Sequence, residues 1–249
     1  MKSIYADKSK ACERYDLWDG IHYFPGGING PRFHALILGG PTCFEAKMLM
    51  NNYNVPEDKI LVVEADPKVM AQFDQSCRDE GLTIPDEKKF VGLLSDVAPK
   101  IKAAGHLVSC AHLDFCSTAN GARNELRLFV RSGVLRYRSM MAVTVLSGRD
   151  RGVGQTRPTE SIWREYKYDF DFQTLTPGNA TRANILMDAM STDFCDGEVL
   201  DAGKYWNQTS KQPMFWFSFE LHSCNQATQL PPGTWKGPRG SAHHWPVLK

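Results

Sequence analysis

Several residues in the first half of this chain stand where nucleoside chemistry needs them. Gly39, Gly40 and Pro41 stop a short apolar run. Glycine lets backbone come close to a bound group because it has no Cβ. Glu64 ends a second apolar run, where a carboxylate can accept hydrogen bonds from two ribose hydroxyls. Ala65 follows it, and Asp66 is the alternative acid two residues on. Ser95 and Asp96 follow a third run and could meet an adenine amino group. A fourth run ends on His112, Asp114, Phe115 and Cys116. An acid closing an otherwise apolar strand is costly to bury unless it is paired or faces a cleft. Asp114 is therefore a candidate for orienting or deprotonating a substrate, and His112, two residues back on the same strand face, for a base. Cys116 is a candidate nucleophile of the kind that attacks carbon-6 of a pyrimidine; the competing reading is a buried structural thiol.

These residues need a scaffold that brings strand ends together. Strands are expected at His34–Leu38, Ile60–Val63, Phe90–Leu94, Leu107–Phe115 and Met140–Leu146. Helices are expected at Phe44–Tyr53, Lys68–Arg78, Val97–Ala104, Asn124–Leu135 and Asn179–Met190. Thr42 and Glu45 have the spacing of a capping box for the first helix. Strands alternating with helices imply a parallel sheet with right-handed crossovers. Two later runs, Glu198–Tyr205 and Met214–Leu221, joined by a polar linker, read as an antiparallel hairpin at the far edge. The expected fold is α/β: a Rossmann-like three-layer sandwich whose mostly parallel, seven-stranded sheet has an antiparallel C-terminal hairpin strand. One domain over 1–249 is expected, with its core at about 34–221, an insertion at 148–177 and an irregular tail at 230–249.

The order of the motifs resembles that of the class I S-adenosylmethionine-dependent methyltransferases. LILGGPTCFEA stands for the glycine motif, VVEADPKVM for the ribose acid, GLLSDVAPK for the site after the third strand and HLDFCST for the strand-four motif. The resemblance spans residues 34 to about 221. The glycine motif departs from the commoner G-x-G-x-G, and no N/D-P-P-Y motif is present. DFCS is loosely similar to the D-A-P-C-S motif of RNA pyrimidine methyltransferases, one residue short and without the proline. The resemblance implies S-adenosylmethionine as cofactor. It would be bound by Gly39, Gly40, Pro41, Glu64, Ala65, Ser95, Asp96, Asp114 and Phe115, with Asp114, His112 and Cys116 as the catalytic candidates. A catalytically silent binding protein on the same fold is the alternative. A nicotinamide enzyme would call for G-x-G-x-x-G, which this sequence lacks.

Bulk properties exclude other classes. The chain has 249 residues, 42% hydrophobic and 23% charged, with a formal net charge of +1. That balance draws it to no polyanion or membrane as a whole, so any such attraction must be local. A local excess exists at Arg123, Arg127, Arg131, Arg149 and Arg151, with aromatic residues close behind. Arginine with interleaved aromatics suits phosphate contact and base stacking, so nucleic acid is a candidate partner. The seven cysteines are scattered without a C-x-x-C pair, as free thiols in a reducing cytoplasm would be. His243 and His244 make no convincing metal pair, and no metal is expected. Residues 1–20 have no apolar core of an export signal, and a cytoplasmic location is expected.

Overall fold

A computed structural model of the protein describes Trp18, residues 33–146, 182, 185–186, 189–190, 194–207 and 212–223. The expected insertion at 148–177, Arg149, Arg151, His243, His244 and the tail at 230–249 lie outside the described residues.

Seven strands form one sheet: β1 (Ala35–Leu38), β2 (Ile60–Glu64), β3 (Lys89–Val91), β4 (Val108–Asp114), β5 (Leu135–Leu146), β6 (Phe194–Asn207) and β7 (Gln212–Ser223). Their order is β3-β2-β1-β4-β5-β7-β6. The first five run parallel, while β7 is antiparallel to both β5 and β6. From β1 the chain steps outwards to β2 and β3, then returns to lay β4 on the other side of β1. Such a reversal opens a crevice at the carboxyl ends of the two central strands.

Four helices follow the first four strands: α1 (Phe44–Tyr53), α2 (Pro67–Asp79), α3 (Leu94–Ala103) and α4 (Ala119–Arg131). The two-residue period of a strand sends alternate side chains to opposite faces. Ala35, Ile37, Ile60 and Val62 therefore pack with α1 and α2, together with the fully buried Trp18. Leu36, Leu61, Val63 and Leu113 pack with α3 and α4 on the other face. The result is three layers, as expected.

Local chemistry sets the element boundaries. α2 starts with Pro67 in its first turn and Asp66 as cap, whose side chain accepts from the Lys68 amide at 2.8 Å. α1 stops at Asn54, which is left-handed at φ 53° and donates its N–H to the Leu49 carbonyl. Several boundaries differ from the sequence expectation. β3 ends at Val91, not Leu94, because Gly92 turns the chain at φ +142° and Leu94 already begins α3. α4 begins five residues before Asn124, where Thr118 caps it by accepting from the Gly121 amide at 3.2 Å. It ends at Arg131 because Gly133 takes φ +68°, and β5 then starts at Leu135. The hairpin strands are both longer than their apolar runs. Thr42 does not cap α1. The N-cap is Cys43, without a side-chain cap bond, and Glu45 points into the protein.

Among the described residues, no helix is long and apolar enough to cross a membrane.

Candidate functional site

The carboxyl ends of β1, β2 and β4 and the turn after β3 open into one cleft of about 460 Å³. That size lies within the range of small-molecule sites. Its walls come from four places: the Gly39–Gly40 turn with Thr42, Phe44 and Glu45; Glu64 and Ala65; Gly92 to Leu94; and Asp114 to Ser117. Glu125 reaches in from α4.

The wall between β1 and β2 is tight. The Gly39 amide donates to the Val63 carbonyl at 2.6 Å. A Cβ on Gly39 would stand 2.8 Å from the Glu64 Cβ, closer than real Cβ atoms come. Glycine is thus required here by the neighbouring acid itself, before any ligand is considered. Glu64 is half-buried, and its Oε1 accepts from the Asp66 amide at 3.0 Å. Asp66, the alternative acid, is engaged as the cap of α2 and does not line the cleft. The chain after β3 is held down by the Gly92 amide, which donates to the Glu64 carbonyl at 2.9 Å.

Beyond β4 the chain folds into a compact turn. The Phe115 amide donates to the Leu113 carbonyl at 3.1 Å and the Ser117 amide to the Phe115 carbonyl at 2.6 Å. The Leu146 amide, donating to the Ser117 carbonyl at 2.9 Å, ties this turn to β5. Asp114, in register with Thr144, is half-buried and lines the cleft with Phe115. Cys116 is exposed on the lip and takes part in no disulfide.

Of the residues singled out from the sequence, Gly39, Gly40, Glu64, Ala65, Asp114, Phe115 and Cys116 line this cleft. Four do not. Pro41 sits in the turn between lining neighbours. Ser95 is turned aside, its amide and hydroxyl each donating to the Glu125 carboxylate at 2.9 Å. Asp96 is exposed on the first turn of α3, because the helix starts two residues before it. Leu93 and Leu94 take their place in the wall. His112 shares the Asp114 face of β4 but stands one pleat, roughly 7 Å, back from the strand end. It is 1% exposed, under α1. It does not line the cleft.

The residue missed from sequence is Glu45. It is 7% exposed, yet it lines the cleft. Its Oε1 accepts from Trp18 Nε1 at 2.9 Å and sits 2.7 Å from His112 Nδ1. His112 Nε2 stands 3.4 Å from Thr144 Oγ1. Since the carboxylate can only accept, the Nδ1 proton faces Glu45. The signal lay in the helix pattern: Glu45 shares the face of Met48 and Leu49, which are buried. An acid on an apolar helix face and a histidine in an apolar strand call for each other. Among the described residues, no cluster of three or more histidine, cysteine or acidic side chains could hold a metal ion.

No protein-family model matches the chain, and no curated protein does. Solved structures do. A Streptococcus mutans protein assigned as an S-adenosylmethionine-dependent methyltransferase aligns over 85% of this chain with a TM-score of 0.51 at 9% identity. The chain shares the Rossmann-like fold of that protein. The match covers 48% of the Streptococcus protein, so this chain spans about half its length. TrmN from Thermus thermophilus also aligns, at TM-score 0.49 and 12% identity, over 85% of this chain and 48% of that one. The N-methyltransferase NodS from Bradyrhizobium japonicum aligns at TM-score 0.49 and 9% identity, over 87% and 98%. In this fold the cleft described above lies at the reversal between β1 and β4.

Proposed function

We propose that the cleft binds S-adenosylmethionine and that the protein is a methyltransferase whose acceptor is a nucleic acid. One observation carries the cofactor reading: Glu64 at the end of β2 faces the cleft with Gly39 packed against it. That pairing leaves the carboxylate beside open space where ribose hydroxyls can reach it. The apolar Leu93 and Leu94 suit the base, and the acidic lining as a whole suits a cationic ligand.

When bound, the cofactor supplies a sulfonium-activated methyl group. The protein's share is to hold the acceptor atom in line and keep water out, which together lower a transfer barrier substantially. On this reading Asp114 orients the acceptor and takes its proton as the new bond to carbon forms. Cys116, at the lip, touches the acceptor base on the same reading. Phosphate contact falls to α4, which carries Arg123, Arg127 and Arg131. Arg123 and Arg131 are exposed, and Arg127 Nη2 donates to Asn124 Oδ1 at 3.3 Å. Glu125 reaches the cleft from the same helix, while Arg123 and Arg127, each two residues from it, lie across the helix axis on the outer surface offered to the acceptor. The charge of cleft and outer surface is opposite, acidic inside and basic outside, as a cationic cofactor and a polyanionic acceptor need.

Isothermal titration calorimetry with S-adenosylmethionine and S-adenosylhomocysteine tests the cofactor reading. Micromolar binding is expected, weakened roughly 10- to 100-fold in Glu64→Ala, the worth of hydrogen bonds to a charged group. No heat from folded wild-type protein with either ligand would overturn it. Methyl incorporation into RNA and DNA then tests the acceptor. Asp114→Asn should abolish turnover while binding persists. Cofactor binding without any methyl transfer would favour a silent binding protein.

A further inference from the structure

We propose that Glu45 reads the ammonium group at the amino-acid end of the cofactor, presented for that task by Trp18 and His112. The inference rests on the cofactor reading above and goes further, assigning a specificity-determining residue.

Strand order fixes which end of a ligand meets which wall. The cleft crosses β3, β2, β1 and β4 in that sequence. Three spacings between neighbouring strands amount to about 14 Å, the scale of an extended nucleoside carrying an amino-acid chain. With the ribose at Glu64 on β2, one end must lie over β3 and the other over β1 and β4. The β3 end is walled by Leu93 and Leu94, which suit a base. At the β4 end stand Glu45 and Asp114, so the charged amino-acid end belongs there. The sulfonium stays near the glycine turn, next to the ribose, and the ammonium carbon lies three carbons further along.

Glu45 is a prepared acid. Its Oε1 is fixed by two N–H donors from different parts of the chain, the Trp18 indole and the His112 ring. Trp18 is fully buried and His112 is 1% exposed, so neither donor can wander. Orientation by packed partners is what makes a recognition group selective. Four carboxylates line the cleft, Glu45, Glu64, Asp114 and Glu125. Among its described lining residues there is no lysine, arginine or histidine. Glu64 is committed to the ribose side and Glu125 to Ser95. Asp114 ends the strand nearest the reacting atoms. Glu45 is the acid left at the amino-acid end.

Glu45→Gln tests this, because glutamine keeps the acceptor oxygen for Trp18 and His112 and removes the charge. Three ligands are titrated against wild type and variant: S-adenosylmethionine, S-adenosylhomocysteine and 5′-methylthioadenosine. The first two carry the ammonium; the third has no amino-acid end. The variant should bind the first two about tenfold more weakly and the third within twofold of wild type. Equal affinity of variant and wild type for all three would overturn the assignment. So would a loss confined to S-adenosylmethionine, which would place the carboxylate at the sulfonium, or an equal loss for all three, which would mean a structural role. Should the variant fail to fold, wild type alone decides. A deaminated analogue of S-adenosylhomocysteine must then bind about tenfold more weakly than its parent, and equal affinity refutes the proposal. Failure of wild type to bind any of these ligands is a different result, since it removes the cofactor reading itself.

Discussion

Alanine at position 39 would put a methyl group where the Glu64 Cβ already stands. The 2.8 Å separation is well inside van der Waals contact; Gly39 directly follows β1, and Glu64 ends β2, the strand paired parallel with it. The clashing atoms are both Cβ atoms fixed to the backbone, so neither can swing away like the end of a long side chain. β1 or β2 must shift, straining the 2.6 Å bond from the Gly39 amide to the Val63 carbonyl. Overpacking of this kind costs about 1–3 kcal/mol. At about 2–4 °C of Tm per kcal/mol for a chain this size, Gly39→Ala should melt roughly 2–12 °C below wild type. The mechanism makes a sharper demand. In a Glu64→Gly background the obstructing Cβ is gone, so adding Gly39→Ala should then cost less than about 0.5 kcal/mol. Urea denaturation of the four proteins of this cycle gives the coupling. If Gly39→Ala costs the same in both backgrounds, the clash is not with Glu64, and the reason given for glycine at this position is wrong.

Two further expectations concern stability alone. Burial, followed by the neighbouring His106 and Lys88, lowers His34 from 6.5 to about 4, with the two imidazole rings 4.8 Å apart. The folded state thus keeps His34 neutral where the unfolded chain is protonated. Its contribution is complete above pH 6.5 and is lost as pH falls towards 4, by at most about 3 kcal/mol. Urea melts of His34→Asn between pH 7.5 and 4.5 should show a shallower loss than wild type, and parallel curves would count against the assignment. Thr118→Ala removes the side-chain cap of α4 and should cost about 1 kcal/mol, seen as a Tm drop of about 2–4 °C. An unchanged Tm would mean that the α4 cap contributes nothing to stability.

The scaffold was readable because its signals are local. Mainly apolar runs of four to seven residues closed by glycine, proline or an acid are what buried parallel strands look like, and β1, β2 and β4 lie where those runs lie. The errors fall where one residue's backbone outweighs a run of side chains. Phe90 to Leu94 is apolar throughout, but Gly92 at φ +142° divides it into a strand and a helix start. That single turn moves Ser95 and Asp96 from the cleft onto α3, and it puts Leu93 and Leu94 in their place. The contact missed near α1 has another cause. Glu45 has the spacing of a cap partner and His112 has the strand face of a catalytic base, so each alone suggests a local or chemical role. What decides is a contact across 67 residues of sequence, joined by an indole 27 residues upstream of Glu45. No window of local sequence contains that network. A polar residue on an otherwise apolar face is the trace it leaves, and two such traces on packed elements are better read as partners than as two separate sites.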